Sequence, residues 1–224
     1  MAIISPPIQE AIELQPRYVA LKRFLDVMLT LLFLPILGLV FLVVAILIHL
    51  DSEGPVFFKQ KRIGLNGEEF TCYKFRSMYA NSDESVHREA FKQYKNGSAL
   101  SNGESGNTHK LTDDPRITRV GRIIRKVSFD ELPQFINILR GEMSLVGPRP
   151  PIPYEVEEYS TRERLRLCGK PGLTGYWQVY GRSRVTFESM VDMDITYLQH
   201  QSIWLDLKLL VLTVPVLLTG RGGA

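Results

Sequence analysis

The chain has 224 residues, room for one domain and an appendage, and its formal charge of +3 is too small to argue for nucleic acid as a partner. Two distant cysteines outside any CxxC pattern, and four histidines with no shared metal spacing, speak against a disulfide framework or a zinc site. Apolar residues make up 45% of the chain but are unevenly spread, with a long run near the N-terminus and a shorter one at the end.

Residues 1–21 read as a tail. From Val27 to Ile48 there are 22 residues without a formal charge, enough to cross a bilayer as a helix. Length alone suits a single-span anchor. Two details favour a helix that enters the membrane, turns and returns, over residues 22–50. Pro35 removes an N–H and crowds the carbonyl of Leu31, which kinks a helix, and the Thr30 hydroxyl one turn earlier is a candidate partner for the freed backbone. Basic residues also flank both ends, Arg17, Lys22 and Arg23 before and Lys59, Lys61 and Arg62 after, whereas a spanning helix carries them asymmetrically.

Residues 51–224 read as a helix-rich mixed α/β domain. Val56–Ile63 and Glu69–Met78 are strand-like and separated by Asn66-Gly67, a strong hairpin signal. Asn81 and Glu84 make a capping box for a helix reaching Lys95. Residues 96–112 are rich in Asn, Ser and Gly and are expected to form a mobile loop. Apolar spacing predicts helices over Ile117–Val127, Phe129–Leu139, Glu155–Leu167 and Thr186–Gln199. Pro171–Arg182 is a loop or short strand. The last apolar stretch, residues 203–219, carries Asp206 and Lys208, with Trp204 at its start and Pro215 near its end; it suits an amphipathic helix in the membrane interface or a buried core helix.

The chemistry concentrates in the middle. Ser128-Phe129-Asp130-Glu131-Leu132-Pro133 sets two adjacent carboxylates at a helix start, and Gly147-Pro148-Arg149-Pro150 follows closely. Ser128 and Glu131 also fit an ordinary capping box, with Asp130 suited to the first turn of a helix. The context points further, because an acidic pair can hold a divalent cation and an arginine held between prolines can fork onto phosphate oxygens at little ordering cost. Arg125 closes the preceding basic run, Lys74 ends the second strand, and Asp194 is an acid among apolar neighbours.

Six motifs in order make the chain resemble the bacterial sugar transferases, the monotopic phosphoglycosyl transferases. They are Lys22-Arg23-Phe24-Leu25-Asp26; Gly54 to Gln60 with Arg62 and Gly64; Tyr73 to Met78; Ser128 to Pro133; Gly141 to Pro150; and Lys170 to Gly175 leading to Trp177-Gln178-Val179 and Gly181-Arg182. The resemblance covers about Lys22 to Gly220. Leu34 stands where members with a re-entrant helix often carry Ser before the proline. The chain looks like a minimal catalytic unit.

The resemblance implies transfer of a sugar-1-phosphate from a nucleotide sugar, a UDP-hexose by family habit, to polyprenyl phosphate at the cytoplasmic face of the bacterial inner membrane. Asp130 would be the nucleophile, Asp130 and Glu131 would position Mg²⁺, and Arg149, Arg125, Lys74, Arg62 and Asp194 would serve phosphate or substrate. Membrane lipids are the further partner. Two other readings stay open: a non-catalytic module binding anionic lipid, and a transferase working through a ternary complex with Asp130 as metal ligand only.

Overall fold

The computed structural model describes residues 12, 15–79, 85–96, 114, 116–181 and 185–218. Of the mobile loop expected at 96–112 all but Asn96 lies outside them, as does the capping box at Asn81 and Glu84. The architecture is mixed and helix-rich.

Helix α1, Pro16–Asp51, runs 36 residues and continues through Pro35. Its middle is bare: Leu32 is 68% exposed, and Ile36, Leu39 and Leu42 stand out equally far. By length and composition it can cross a membrane. Both ends are fastened to the rest of the chain. Near the start, Lys22 Nζ meets Asp206 Oδ2 at 2.7 Å, and Asp26 Oδ1 accepts from Ser144 Oγ and the Leu145 N–H. Near the end, Val44 and Ile48 pack with Phe75 and Ile124, and Asp51 Oδ2 accepts from the Val120 N–H at 2.9 Å. Thr30 is fully buried and its hydroxyl has no hydrogen-bond partner, so it does not serve the backbone near Pro35.

Strands β1 (Phe57–Ile63) and β2 (Glu69–Phe75) pair antiparallel, Ile63 opposite Glu69. The turn between them forms where expected, with Asn66 and Gly67 both at positive φ, 56° and 83°. Alternation along the strands sets Phe58, Gln60 and Arg62 beside Lys74, Cys72 and Phe70 on one face. Phe70 and Cys72 enter the main core with Ile138, Met143, Val146 and Tyr197.

Helices α2 (Ser85–Lys95) and α3 (Arg119–Lys126) follow, the latter capped by the Thr118 hydroxyl, which accepts from the Gly121 N–H. The helix expected over Phe129–Leu139 is divided. A 3-10 turn, Phe129–Glu131, precedes α4 (Gln134–Arg140), and Pro133, which has no N–H to give, stands at the cap between them. Gly141 ends α4 at φ 83°. Strand β3 (Ser144–Val146) pairs parallel with β4 (Gly172–Thr174).

The predicted helix over Glu155–Leu167 is also divided, into α5 (Pro153–Glu157) and a 3-10 turn, Glu163–Cys168. Glu155 spends its carboxylate on the Ile152 N–H, and Glu163 Oε2 accepts from the Ser160 N–H to start a second turn. The first bond caps the start of α5, and the second opens a new turn where apolar spacing alone would extend one helix. After β4 come α6 (Tyr176–Tyr180), α7 (Phe187–His200) with Thr186 as its cap, and α8 (Ile203–Leu218). On α8, Leu209 is wholly buried, while Trp204, Leu207, Val211 and Val214 form an exposed apolar stripe at helical spacing.

Candidate active site

The acidic pair sits on a strained turn. Ser128 adopts left-handed backbone, φ 56° and ψ 23°, which costs a non-glycine residue about 1 kcal/mol or more. Its N–H donates to the Arg125 carbonyl, closing α3, and its own carbonyl accepts from the Glu131 N–H. The capping box is not formed: Ser128 makes no side-chain cap. Glu131 turns to β2, where Lys74 Nζ lies 2.7 Å from Oε1. The chain thus gives its Glu131 carboxylate to a strand lysine rather than to the helix end.

Asn137 holds this arrangement in register. Wholly buried on α4, it accepts from the Tyr73 N–H at 3.1 Å and donates to the Thr71 carbonyl at 2.7 Å and to Glu142 Oε2 at 2.6 Å. It bonds along β2 as a neighbouring strand would, one residue from Lys74. No sequence motif singled it out; an asparagine amid apolar helix positions was the available signal.

The Gly147-Pro148-Arg149-Pro150 segment is stapled to β1. Arg62 is buried and donates through Nη1 to the Pro150 carbonyl at 2.7 Å, while Gln60 Oε1 receives its Nε and Nη2. Ile63 N–H donates to the Pro151 carbonyl. Arg62 therefore supports the turn that presents Arg149. Gly147 fits only as glycine, because a Cβ there would lie 2.3 Å from the Lys170 carbonyl oxygen.

Electrostatics show which charges gather. Burial first, and the Arg149 guanidinium second, push Arg62 below the usual arginine range, with Glu155 and Glu131 opposing. Cys72 is raised by burial and lowered by Lys74, Arg62 and Arg149. Lys74, Glu131, Arg62 and Arg149 therefore share one electrostatic neighbourhood above β1 and β2.

Arg149 also lines a small recess with Tyr94, Glu155, Tyr159 and Arg166. Behind it Arg166 Nη2 meets Asp194 Oδ2 at 2.5 Å, both wholly buried. Burial pushes the Asp194 carboxyl up to about 6, against the pull of Arg166 and Arg149. Arg166 was not foreseen; it hides among the charges of a segment that read as an amphipathic, highly charged helix. Arg125, after Arg116, helps hold Asp114 below the usual carboxylate range.

Among the described residues no three of His, Cys, Asp and Glu gather as a metal cage. Two adjacent carboxylates fit Mg²⁺ nonetheless, since that ion commonly takes one or two carboxylates and completes its shell with water and substrate phosphate oxygens. Asp130 and Glu131 are both half-buried, so solvent and ligand can reach them.

An acidic turn, a strand lysine and a buttressed arginine beside a membrane-length helix agree with what comparison finds. The model of the bacterial sugar transferase family matches residues 17–220.

The chain belongs to the bacterial sugar transferase family.

Among relatives, the galactosyl transferase CpsE of Streptococcus agalactiae serotype III is 45% identical over 202 residues, 90% of this chain and 43% of its own length. The exopolysaccharide production protein ExoY of Sinorhizobium fredii is 44% identical, over 90% of this chain and 87% of its own. The undecaprenyl-phosphate galactose phosphotransferase of Salmonella typhimurium is 40% identical over 90% of this chain and 41% of its own. The chain thus spans about two fifths of the first and third of these bacterial sugar transferases, and most of the second.

Proposed function

We propose that this bacterial sugar transferase moves a sugar-1-phosphate from a UDP-sugar to polyprenyl phosphate in two displacements on Asp130. In the first, an Asp130 carboxylate oxygen attacks the β-phosphorus, the bond from that phosphorus to the bridging oxygen breaks, and UMP leaves with the electron pair. The product is an acyl phosphate carrying the sugar. In the second, an oxygen of the lipid phosphate attacks the same phosphorus, and the Asp130 carboxylate departs unchanged. Two steps let one site serve a soluble donor and a membrane acceptor in turn.

The observation that carries this reading is the Lys74–Glu131 contact beside Asp130 on the strained turn. It sets a cation and two acids where a phosphoryl group needs both. Lys74 holds Glu131 and can offer further N–H groups to a phosphate oxygen. Arg149, buttressed through Arg62, supplies a guanidinium fork for the diphosphate. A magnesium ion bound by Asp130 and Glu131 would neutralise phosphate charge during in-line attack.

The membrane helix fits as a re-entrant element with the catalytic domain on the cytoplasmic face. A straight helix of 36 residues would run about 54 Å. Yet Asp26 and Asp51, on either side of Pro35, both bind the same globular part. A polar domain fastened to both ends supports a helix whose ends share one side of the bilayer. The acceptor phosphate then stays at the headgroup plane throughout.

The test is to incubate detergent-solubilised protein with Mg²⁺ and a panel of UDP-sugars, with and without polyprenyl phosphate. UMP release and, without acceptor, a protein-bound sugar phosphate are expected. UMP release only when the lipid is present, with no protein-bound intermediate, would replace the covalent route by a ternary complex. Absence of release from every donor would leave a lipid-binding module.

A further inference from the structure

Helix α3 carries a surface that the transfer chemistry does not use. Arg119, Arg122 and Lys126 are exposed, and Ile123 among them is 67% exposed. At 100° per residue these four lie within one narrow face of the helix. Its opposite face holds Val120 and Ile124, which pack with Val44 and Ile48 of α1. Asp51 Oδ2 fixes the Val120 N–H, and Gly121 lies so close to the Ser77 carbonyl that a Cβ there would meet its oxygen at 2.1 Å. The helix is therefore held rigidly beside the last two turns of α1.

That attachment sets its depth. Leu47 and Leu50 in the last turn of α1 are exposed and apolar, the exposed His49 stands between them, and the charged chain begins at Asp51. An apolar surface ending there marks the boundary between hydrocarbon and headgroups. A rigid helix at that level, with three cations around one protruding isoleucine, is complementary to an anionic lipid surface.

We infer that the Arg119–Arg122–Ile123–Lys126 face of α3 docks on anionic phospholipid headgroups, with Ile123 entering the interface. This rests on the membrane association proposed above, but on neither the nucleophile nor the donor. Because the Ser128 N–H donates to the Arg125 carbonyl, the docked helix leads directly into the Asp130 turn. Docking then sets the height of that turn over the bilayer.

The test places an environment-sensitive fluorophore at Ile123→Cys in the full chain; Cys72 and Cys168 are both buried, so labelling is selective. The labelled protein is reconstituted in nanodiscs of phosphatidylcholine alone, of phosphatidylcholine with phosphatidylglycerol, and of phosphatidylcholine with a trace of polyprenyl phosphate. The expected result is a blue shift that grows with phosphatidylglycerol, falls with added salt, and is lost when Arg119, Arg122 and Lys126 are all replaced by Gln. Circular dichroism and melting of the triple variant confirm that it is folded.

An equal shift with and without phosphatidylglycerol would overturn the inference, since apolar contact alone would explain it. A shift in no disc would mean that the face stands clear of the membrane. A shift only with polyprenyl phosphate would assign the face to the acceptor instead. The Asp130→Asn variant should keep the blue shift, so failure of the catalytic reading and failure of docking are separable.

Discussion

Asn137 is the place where the fold of this bacterial sugar transferase can be tested most sharply. Replacing it by Leu keeps its branched shape and removes three hydrogen bonds, to the Tyr73 N–H, the Thr71 carbonyl and Glu142. Two of these join neutral groups and are worth about 1 kcal/mol each, and the bond to the Glu142 carboxylate about 1.5–3 kcal/mol. The sum is about 4 kcal/mol, before relaxation lets water reach the half-buried strand edge. For a chain of this size that lowers the melting temperature by roughly 8–16 °C. Thermal unfolding in detergent, followed by tryptophan fluorescence, reads it directly.

Asn137→Asp sharpens the test. It keeps an acceptor for Tyr73 but sets oxygen against oxygen at Thr71 and Glu142, a loss that should shrink as the pH falls and the new carboxyl takes up a proton. Both variants should also slow UMP release well below their melting temperatures, because Lys74 and Glu131 lose their common register. A melting temperature for Asn137→Leu within about 2 °C of the parent would refute the reasoning.

Asp130→Asn should abolish UMP release while leaving the protein in the membrane fraction after carbonate washing; substantial turnover would displace it as nucleophile. Ser128→Gly should raise stability by about 1 kcal/mol by relieving left-handed backbone, measured by melting, while the looser turn slows turnover. Lys74→Met should cut turnover more than it cuts stability, since the ion pair it breaks is partly exposed. For Asp194, whose folded value is raised, the stabilisation is complete below its ordinary range and is lost as the pH rises through about 6. The wild-type chain should therefore gain stability relative to Asp194→Asn when melted at pH 5 rather than pH 7, and parallel pH profiles would show that this carboxyl does not titrate there.

Elements with strong local signals were readable in advance. The hairpin turned at Asn66-Gly67, α7 began at its Thr186 cap, and α8 filled its apolar run. Two helices read from apolar spacing were shorter than expected, because spacing does not register where a side chain prefers its own backbone. Glu163, bonded to the Ser160 N–H, opened a new turn inside one, and Pro133 divided the other. Asp130, Glu131, Lys74 and Arg149 were visible as motifs. Their supports were not, since the Arg62–Pro150 bond and the Arg166–Asp194 pair join residues 88 and 28 positions apart. Arg62 read as a ligand for phosphate, and its bond to the Pro150 carbonyl lies outside local pattern. Such contacts depend on how strands and turns stack, which local pattern does not encode.

Two arginines tie α1 to the catalytic fold in opposite senses. Arg23, on α1, donates to the Ile138 and Leu139 carbonyls and so closes the end of α4. Arg76, just past β2, donates to the Ser52 carbonyl and hydroxyl at the end of α1. Each partner thus helps to finish a helix end on the other. The consequence is mutual dependence: prising α1 away would strip partners from carbonyl groups at the ends of both helices, so the long helix and the globular part are expected to melt as one unit.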